Sequence, residues 1–124
     1  MATRVFIVDD DPAIVGALKA VLEMGGVEIA GYVYDGGDAL SRFKEISPPP
    51  DVVIMDYWLP VMNGIDVMAE IIRAAPSVRV LFVSADTAAR NAAIAAGAAG
   101  FLPKPFGIAE LLAAVQNLAK GQAD

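Results

Sequence analysis

The stretch Asp51–Gly64, DVVIMDYWLPVMNG, decides the fold of this chain. It opens with an unbroken apolar run, Val52–Met55, which is typical of a parallel strand that is covered on both faces. The run stops at a carboxylate, Asp56, and the segment after it, with Pro60 and an Asn-Gly pair, predicts a turn before a helix. Because ligands of α/β sheets bind at the carboxyl ends of strands, Asp56 is either a site residue or the cap of a loop.

Apolar runs and helical patterns alternate along the rest of the chain. Before the central run, they predict strands at Arg4–Val8 and Val27–Tyr34, and helices from Pro12 to Gly25 and over Asp35–Ile46. After it, they predict helices from Ile65 to Pro76, over Asp86–Ala96 and over Ile108–Leu118, with strands at Val78–Ser84 and Phe101–Pro103. Five strand–helix units without a repeat or an internal linker predict a single α/β domain over residues 1–124.

Two local features refine this pattern. Asp11 is predicted to cap the first helix, since Asp accepts from free N–H groups and Pro12 suits the first helical position. In the second strand, Val27, Ile29 and Val33 alternate with polar or aromatic residues. This alternation predicts that the three side chains share one face of a half-exposed edge strand.

Polar side chains stand at the predicted carboxyl ends of four strands. They are Asp9 and Asp10, which follow the first strand, and Asp56, Ser84 and Lys104. Right-handed crossovers place the carboxyl ends of parallel strands on one edge of the sheet, so these side chains are expected to meet there. Four strands that deliver polar groups to one edge indicate a site more strongly than any of them alone.

Three carboxylates and one ammonium at one edge predict a bound cation. The carboxylates raise one another's pKa unless a positive charge joins them. Since the carboxylates donate only oxygen, a hard ion such as Mg²⁺ is expected, and it typically takes one or two carboxylates together with phosphate oxygens. Mg²⁺, a lysine and a hydroxyl around one carboxylate form a phosphoryl-transfer site, in which the carboxylate can be the in-line nucleophile.

Composition limits the other functions. The 124 residues carry a formal net charge of -6, which argues against a nucleic acid or an anionic membrane as the main partner. The chain has no Cys for a disulfide framework and no His for imidazole–zinc sites or histidine acid–base catalysis. No apolar run approaches the ~20 residues of a membrane span, and no signal-peptide pattern is present, so a cytoplasmic location is expected.

Together these motifs resemble the receiver domain of two-component response regulators, over essentially the whole chain. The resemblance rests on the paired acids in FIVDDD, the D-x-x-L-P-x-x-N-G pattern over Asp56–Gly64, the strand-end Ser84-Ala85, and Lys104-Pro105-Phe106. It implies a flavodoxin-like fold, in which a doubly wound five-stranded parallel sheet has the order 2-1-3-4-5 and helices on both faces. It also implies a signalling domain that is not an enzyme and that controls an output domain or an effector protein.

The resemblance implies a phosphoacceptor and a metal site. Asp56 would accept the phosphoryl group from a phosphohistidine on a partner histidine kinase or phosphotransfer protein. Asp9, Asp10 and Asp56 would hold Mg²⁺ directly or through water, with the backbone carbonyl of Trp58 as a further ligand.

The resemblance also implies a switch. Lys104 and Ser84 would bind phosphoryl oxygens, and the bond between Lys104 and Pro105 is expected to be cis. Ser84 and the aromatic Phe101 would change conformation, although an aromatic residue near a strand is more often part of the core. The change would reach an output face made of helix Asp86–Ala96, the strand at Phe101 and the last helix. Six alanines in that helix cannot all face the core, so exposed apolar surface is expected there.

Two positions are expected to set the lifetime of the phosphoryl group. By resemblance, Trp58 and Asp86 flank the path of the hydrolytic water. The indole offers no acceptor for that water and has a large area to bury, so Trp58 is expected to fold over the site and slow hydrolysis. Asp86 would act as a base only if the indole pointed to solvent.

Three alternative functions share part of this pattern. A pseudo-receiver, used only for protein contacts, usually lacks the acids or the lysine, and this chain keeps them. A haloacid-dehalogenase-like phosphatase also uses a strand-end Asp, a Lys and Mg²⁺, but it has a second Asp where this chain has Trp58. A flavodoxin- or Rossmann-like nucleotide binder needs a glycine-rich first loop, and this chain has Asp9-Asp10-Asp11 there.

Overall fold

The computed structural model describes residues 2–59 and 62–121, which form a five-stranded parallel sheet with helices on both faces. The strands are β1 (Arg4–Val8), β2 (Glu28–Val33), β3 (Val52–Asp56), β4 (Arg79–Ser84) and β5 (Gly100–Pro103). The helices are α1 (Pro12–Met24), α2 (Gly36–Glu45), α3 (Gly64–Ala74), α4 (Ala89–Ala95) and α5 (Ile108–Ala119). The strand order β2-β1-β3-β4-β5, with every neighbouring pair parallel, confirms the predicted fold class.

Two expectations from the sequence concern the turn after β3 and membrane-spanning helices. Pro60, predicted to punctuate the turn after β3, lies outside them. Within residues 2–59 and 62–121, no helix combines the length and the apolar character that a membrane crossing would need.

The sheet is buried on both faces, as its apolar strands predict. On one face, Phe6, Val53 and Phe82 pack with α2, α3 and α4 in one hydrophobic cluster. On the other face, Ile7 and Ile54 pack with α1 and α5 in a second cluster. Because side chains alternate along a strand, neighbouring residues of β1 and β3 enter opposite clusters. This burial leaves the strand ends as the place where the sheet can present polar side chains.

The predicted alternation in β2 is wrong. The register with β1 shifts between Ile29 and Gly31, so that Ala30 has no partner in β1. As a result, Val27 and Ile29 pack on the α1–α5 side of the sheet, whereas Val33 packs on the other side. One extra residue in a strand moves every later side chain to the opposite face, and a sequence pattern with polar and apolar residues on both sides does not reveal it.

The fourth helix is shorter than predicted. The alanine-rich pattern predicts a helix from Asp86, but α4 begins at Ala89 and has 7 residues. Asp86 forms a turn instead, because its carboxylate Oδ1 accepts the N–H of Ala88 at 3.1 Å and competes with helix formation. In α4 only Ala89 and Ala93 are buried, and Ile94 is 42% exposed. The expected apolar surface is therefore present on α4.

Helices α1, α2 and α3 each start at a capping side chain. The side chain of Asp11 accepts a backbone N–H of the first turn at 2.9 Å, and Pro12 is the first residue of α1, as predicted. Asp35 and Asn63 cap α2 and α3 in the same way. After α1, Gly26 has φ 83°, a conformation that favours glycine. The caps at Asp11 and Asn63 fix the chain where it leaves the β1 and β3 loops.

Candidate functional site

Three carboxylates meet at the carboxyl ends of β1 and β3. Asp9 and Asp10 follow β1, Asp56 ends β3, and one oxygen of each lies within 4.8 Å of the others. β1 and β3 are hydrogen-bonded neighbours, which is why acids from distant parts of the sequence meet. Asp9 is buried, Asp56 is half-buried and Asp10 is exposed, so the cluster leads from the interior to the surface.

Lys104 brings a positive charge to this cluster. Its Nζ lies 3.6 Å from Asp9 Oδ2 and 3.9 Å from Asp56 Oδ2. The backbone N–H of Lys104 donates to the carbonyl of Ser84 at 2.9 Å, and the peptide bond to Pro105 is cis, as expected. One ammonium does not balance three carboxylates, so the site keeps an excess of negative charge.

Asp9 has a buried oxygen without a hydrogen-bond donor. Its Oδ1 accepts the N–H of Asp11 at 3.0 Å, but its Oδ2 has no donor among the residues that the structure describes. The ammonium of Lys104, at 3.6 Å, is too far for a hydrogen bond. A buried carboxylate oxygen without a hydrogen bond is costly, and a directly bound cation removes that cost. The oxygen donors around it fit a hard divalent ion such as Mg²⁺.

The pKa of Asp56 is raised above its ordinary value of 3.8. Burial at the strand end is the main cause, because desolvation disfavours the charged form. The Lys104 ammonium and the N–H of Trp58, which donates to Asp56 Oδ1 at 3.3 Å, lower this pKa, whereas Asp9 and Asp10 raise it. A divalent cation at the cluster would favour the charged carboxylate.

Ser84 presents a hydroxyl at the end of β4. The residue is buried, and its Oγ accepts the backbone N–H of Asp86 at 3.0 Å. A hydroxyl has one proton and two lone pairs, so accepting this bond leaves its proton free to donate. The backbone hydrogen bond from Lys104 to Ser84 holds the residue that carries this hydroxyl next to the residue that carries the ammonium.

A close approach at Gly64 fixes the loop that follows Asp56. A Cβ at Gly64 would lie 2.5 Å from Phe82 Cε1 and 3.1 Å from the carbonyl oxygens of Asp56 and Tyr57. The N–H of Gly64 also donates to the carbonyl of Tyr57 at 3.1 Å. Only glycine allows the backbone to pass so close, and α3 is thereby held against the end of β3.

Comparison with known proteins identifies the family. A family model described as "Response regulator receiver domain" matches residues 5–116. The chain belongs to this family of receiver domains. Chemotaxis protein CheY of Thermotoga maritima is 37% identical over 122 residues, which cover 97% of this chain and 100% of CheY.

Two further relatives show where receivers of this kind occur. The DNA-binding response regulator MtrA of Mycolicibacterium smegmatis is 37% identical over 94% of this chain, which spans only 50% of MtrA. One chain of the solved CheX-CheY-BeF3-Mg+2 complex from Borrelia burgdorferi is 29% identical to this chain, with a TM-score of 0.86. The match covers 94% of this chain and 88% of the chain in the complex. The receiver domain of two-component systems is thus a signalling module that occurs alone or within a longer protein.

In this receiver, the expectation that Trp58 folds over the site is wrong. Trp58 is 59% exposed, and its ring packs edge-on against Tyr57 with centroids 4.8 Å apart. Tyr57 in turn packs against Phe82 with centroids 5.6 Å apart. Tyr57 therefore occupies the apolar space beside the core, and the indole stays at the surface. What Trp58 gives to the site is its backbone N–H, which binds Asp56.

Phe101, the predicted aromatic switch, lies inside the core. It is 4% exposed and packs in the same cluster as Phe82 and Ala93. It is aligned with Phe82 in the pairing of β4 with β5. The ring thus lies in the cluster to which α4 contributes, and its movement on phosphorylation stays a prediction.

An apolar groove that the sequence did not reveal opens beside Lys104. It has a volume of about 440 Å³ and lies between α1 and the start of α5. Its lining includes Ile14, Leu18, Phe106, Ile108 and Leu111. Helical spacing shows that each helix has an apolar face, but only the packing of α1 against α5 shows that the two faces leave a gap.

Proposed function

We propose that this receiver accepts a phosphoryl group on Asp56. The observation that carries the proposal is the position of its carboxylate, which has an oxygen within 4.8 Å of Asp9 and Asp10 oxygens and has its Oδ2 3.9 Å from Lys104 Nζ. Oδ1 of Asp56 accepts the N–H of Trp58, and Oδ2 faces the Lys104 ammonium at 3.9 Å. A carboxylate oriented in this way is suited to in-line attack on phosphorus.

Asp9, Asp10 and Asp56 would hold Mg²⁺, together with the backbone carbonyl of Trp58. When bound, the ion supplies positive charge to the phosphoryl oxygens during transfer. The buried Oδ2 of Asp9 accepts no hydrogen bond from the described residues, which supports this assignment because a divalent ion would satisfy it. A pseudo-receiver would have no use for this costly arrangement.

Lys104 and Ser84 would bind the remaining phosphoryl oxygens through an ammonium and a hydroxyl proton. In the transfer, the bond between phosphorus and the imidazole nitrogen of a phosphohistidine breaks, and a bond between phosphorus and an Asp56 oxygen forms. The histidine belongs to a kinase or a phosphotransfer protein, since this chain has none. The apolar groove beside Lys104 supports a protein donor, because it offers surface that such a partner can cover.

The output would act through the face formed by α4, β5 and α5. Ser84 and Phe101 lie on the neighbouring strands β4 and β5, and α4 next to them carries exposed apolar surface, including Ile94. A phosphoryl group bound by Ser84 would shift this face and change its affinity for an output domain or an effector protein. The relative from Borrelia burgdorferi, described in a complex with CheX, BeF3 and Mg+2, supports such a partner.

Two broader expectations complete the proposal. Residues 1–124 would form a single receiver domain in the cytoplasm, and its chemistry would be limited to its own phosphorylation and dephosphorylation. A phosphatase of the haloacid-dehalogenase type is disfavoured, because the position of its second acid holds the exposed Trp58.

The test is phosphorylation by acetyl phosphate, followed by mass spectrometry of the intact protein. We expect one phosphoryl group per chain with Mg²⁺ and none with EDTA. Asp56→Asn should abolish it, whereas Asp51→Asn, at the opposite end of the same strand, should leave it unchanged. Modification that survives EDTA, or that persists in Asp56→Asn, would contradict the proposal.

A further inference from the structure

One residue, Asp86, connects Ser84 to the start of α4. Its backbone N–H donates to Ser84 Oγ at 3.0 Å, and its carboxylate Oδ1 accepts the N–H of Ala88 at 3.1 Å. Its own carbonyl accepts the N–H of Ala89, the first residue of α4, at 3.1 Å. Three different groups of Asp86 are therefore engaged in hydrogen bonds within one short turn.

Among the described residues, the turn around Asp86 has few other hydrogen bonds, one of which runs from the N–H of Arg90 to the carbonyl of Thr87 at 3.2 Å. Residues 85–88 are exposed, whereas Ser84 is 2% exposed. The capping position of α4, Ala88, offers no side-chain hydrogen bond. The conformation of this loop therefore depends on the bonds that Asp86 makes, and the orientation of the buried hydroxyl depends on the loop.

We propose that Asp86 is a positioning residue for phosphoryl transfer, which acts through the Ser84 hydroxyl. The carboxylate fixes the turn by accepting the N–H of Ala88, and the turn aims the N–H of Asp86 at Ser84 Oγ. This bond occupies a lone pair of Oγ, so the hydroxyl proton is free for a phosphoryl oxygen. The inference rests on the proposed phosphorylation of Asp56.

Without the carboxylate, the exposed turn loses one of its hydrogen bonds and the N–H of Asp86 is no longer fixed. Ser84 then gains access to other staggered rotamers, in which its proton does not face the phosphoryl group. A donor that is correctly oriented for only part of the time contributes less to the transition state.

This role differs from the one that the sequence suggests for Asp86. A base for the hydrolytic water requires the ionised carboxylate. Positioning requires only an oxygen that accepts the N–H of Ala88, and an asparagine side chain also provides one. The two roles therefore predict different results for Asp86→Asn.

The experiment compares the rate of phosphorylation by acetyl phosphate, with Mg²⁺, in matched variants. We expect Asp86→Ala to lower the rate by about threefold to tenfold, because the bond from the Ser84 hydroxyl to a phosphoryl oxygen is weakened but not removed, and Asp86→Asn to stay within about twofold of wild type. In a Ser84→Ala background, Asp86→Ala should have no further effect, because both changes act through the same hydroxyl. Thr87→Ala, a truncation in the same loop, serves as the control and should leave the rate unchanged.

The Ser84 side-chain torsion gives a second readout that does not depend on phosphorylation. Three-bond NMR couplings should show one Ser84 rotamer in wild type and in Asp86→Asn, and an average of rotamers in Asp86→Ala. The inference is overturned if Asp86→Asn is as slow as Asp86→Ala, if the loss persists without the Ser84 hydroxyl, or if Ser84 keeps one rotamer in Asp86→Ala. A wild-type domain that is not phosphorylated would contradict the proposed function instead, and the couplings would still decide the positioning role.

Discussion

The two halves of the site differ in how strongly packing and hydrogen bonds hold them in place. The acid half, Asp9, Asp10 and Asp56, is braced by the bond from the Asp9 N–H to the Val33 carbonyl at 3.2 Å and by the close approach of Gly64. The serine half consists of Ser84, Asp86 and α4, and it depends on an exposed turn and a helix of 7 residues without a side-chain cap.

This difference separates binding from response. A metal and a phosphoryl group need a site that is formed before they bind, because ordering a loose site would cost affinity. A signal needs an element with a low free energy of local unfolding, and short helices with few buried residues provide one. The acid half fits the first requirement and the serine half fits the second.

Lys104 joins the two halves, so its removal should have the largest effect. Its Nζ lies near Asp9 and Asp56, and its backbone N–H binds Ser84. We expect Lys104→Ala to slow phosphorylation by acetyl phosphate about a hundredfold, since it removes one charge that stabilises the transition state. Lys44→Ala, on the exposed surface of α2, is the control. A loss of less than about threefold in Lys104→Ala would show that the ammonium does not contact the phosphoryl group.

A substitution at Gly64 tests the close packing of the acid half. Gly64→Ala places a methyl group 2.5 Å from Phe82 Cε1 and should lower the free energy of unfolding by about 1–3 kcal/mol. Gly16→Ala is the matched control, because no atom lies within 4 Å of its Cβ position in α1, and it should add about 0.5–1 kcal/mol. Urea unfolding measures both. Equal effects of the two substitutions would contradict the close packing of this loop.

Because fewer contacts hold the serine half in place, we expect faster amide exchange in α4 than in α3. α3 has a capping side chain, Asn63, and four buried residues, whereas α4 has no side-chain cap and two buried residues. We expect the protection of α4 amides to be at least about tenfold lower than that of α3 amides in hydrogen–deuterium exchange followed by NMR. Equal protection would mean that the two halves are equally firm.

The acid half should also lower the free energy of unfolding by an amount that depends on pH. Since burial raises the pKa of Asp56, the folded domain binds a proton more tightly than the unfolded chain between pH 3.8 and the folded-state pKa. Stability therefore falls as the pH rises through that window. In EDTA, Asp56→Asn should be more stable than wild type at neutral pH, and the difference should shrink as the pH is lowered. Thermal unfolding between pH 7 and 4 measures this difference in stability. A difference that does not change with pH would refute the raised pKa of Asp56 as its cause.

The smallest effect is expected at Trp58. Because its ring is 59% exposed and packs on Tyr57, its removal should change the lifetime of phosphorylated Asp56 by less than about twofold. The decay of the phosphorylated protein after removal of acetyl phosphate compares wild type with Trp58→Ala. A decay that is tenfold faster in Trp58→Ala would show that the indole shields the acid half after all.

The sequence by itself determined the order of the elements and which side chains meet at the candidate site. The apolar runs at β1, β3 and β4, the cap at Asp11 and the stop at Gly25-Gly26 are local signals, which act within a few residues. Because parallel strands end on one edge, the same runs also predicted that Asp9, Asp56, Ser84 and Lys104 would stand there together. These features follow from chain chemistry and handedness, which do not depend on how the helices finally pack.

Only the tertiary structure decided the features that depend on competition between distant segments. The bulge at Ala30 is seen only in the pairing of β2 with β1, and it moved Val33 to the other face. Trp58 is exposed because Tyr57 occupies the apolar space next to Phe82, although either ring could have buried area there. The groove between α1 and α5 has the same origin. In each case several local solutions are close in free energy, and packing with residues far along the chain selects one of them.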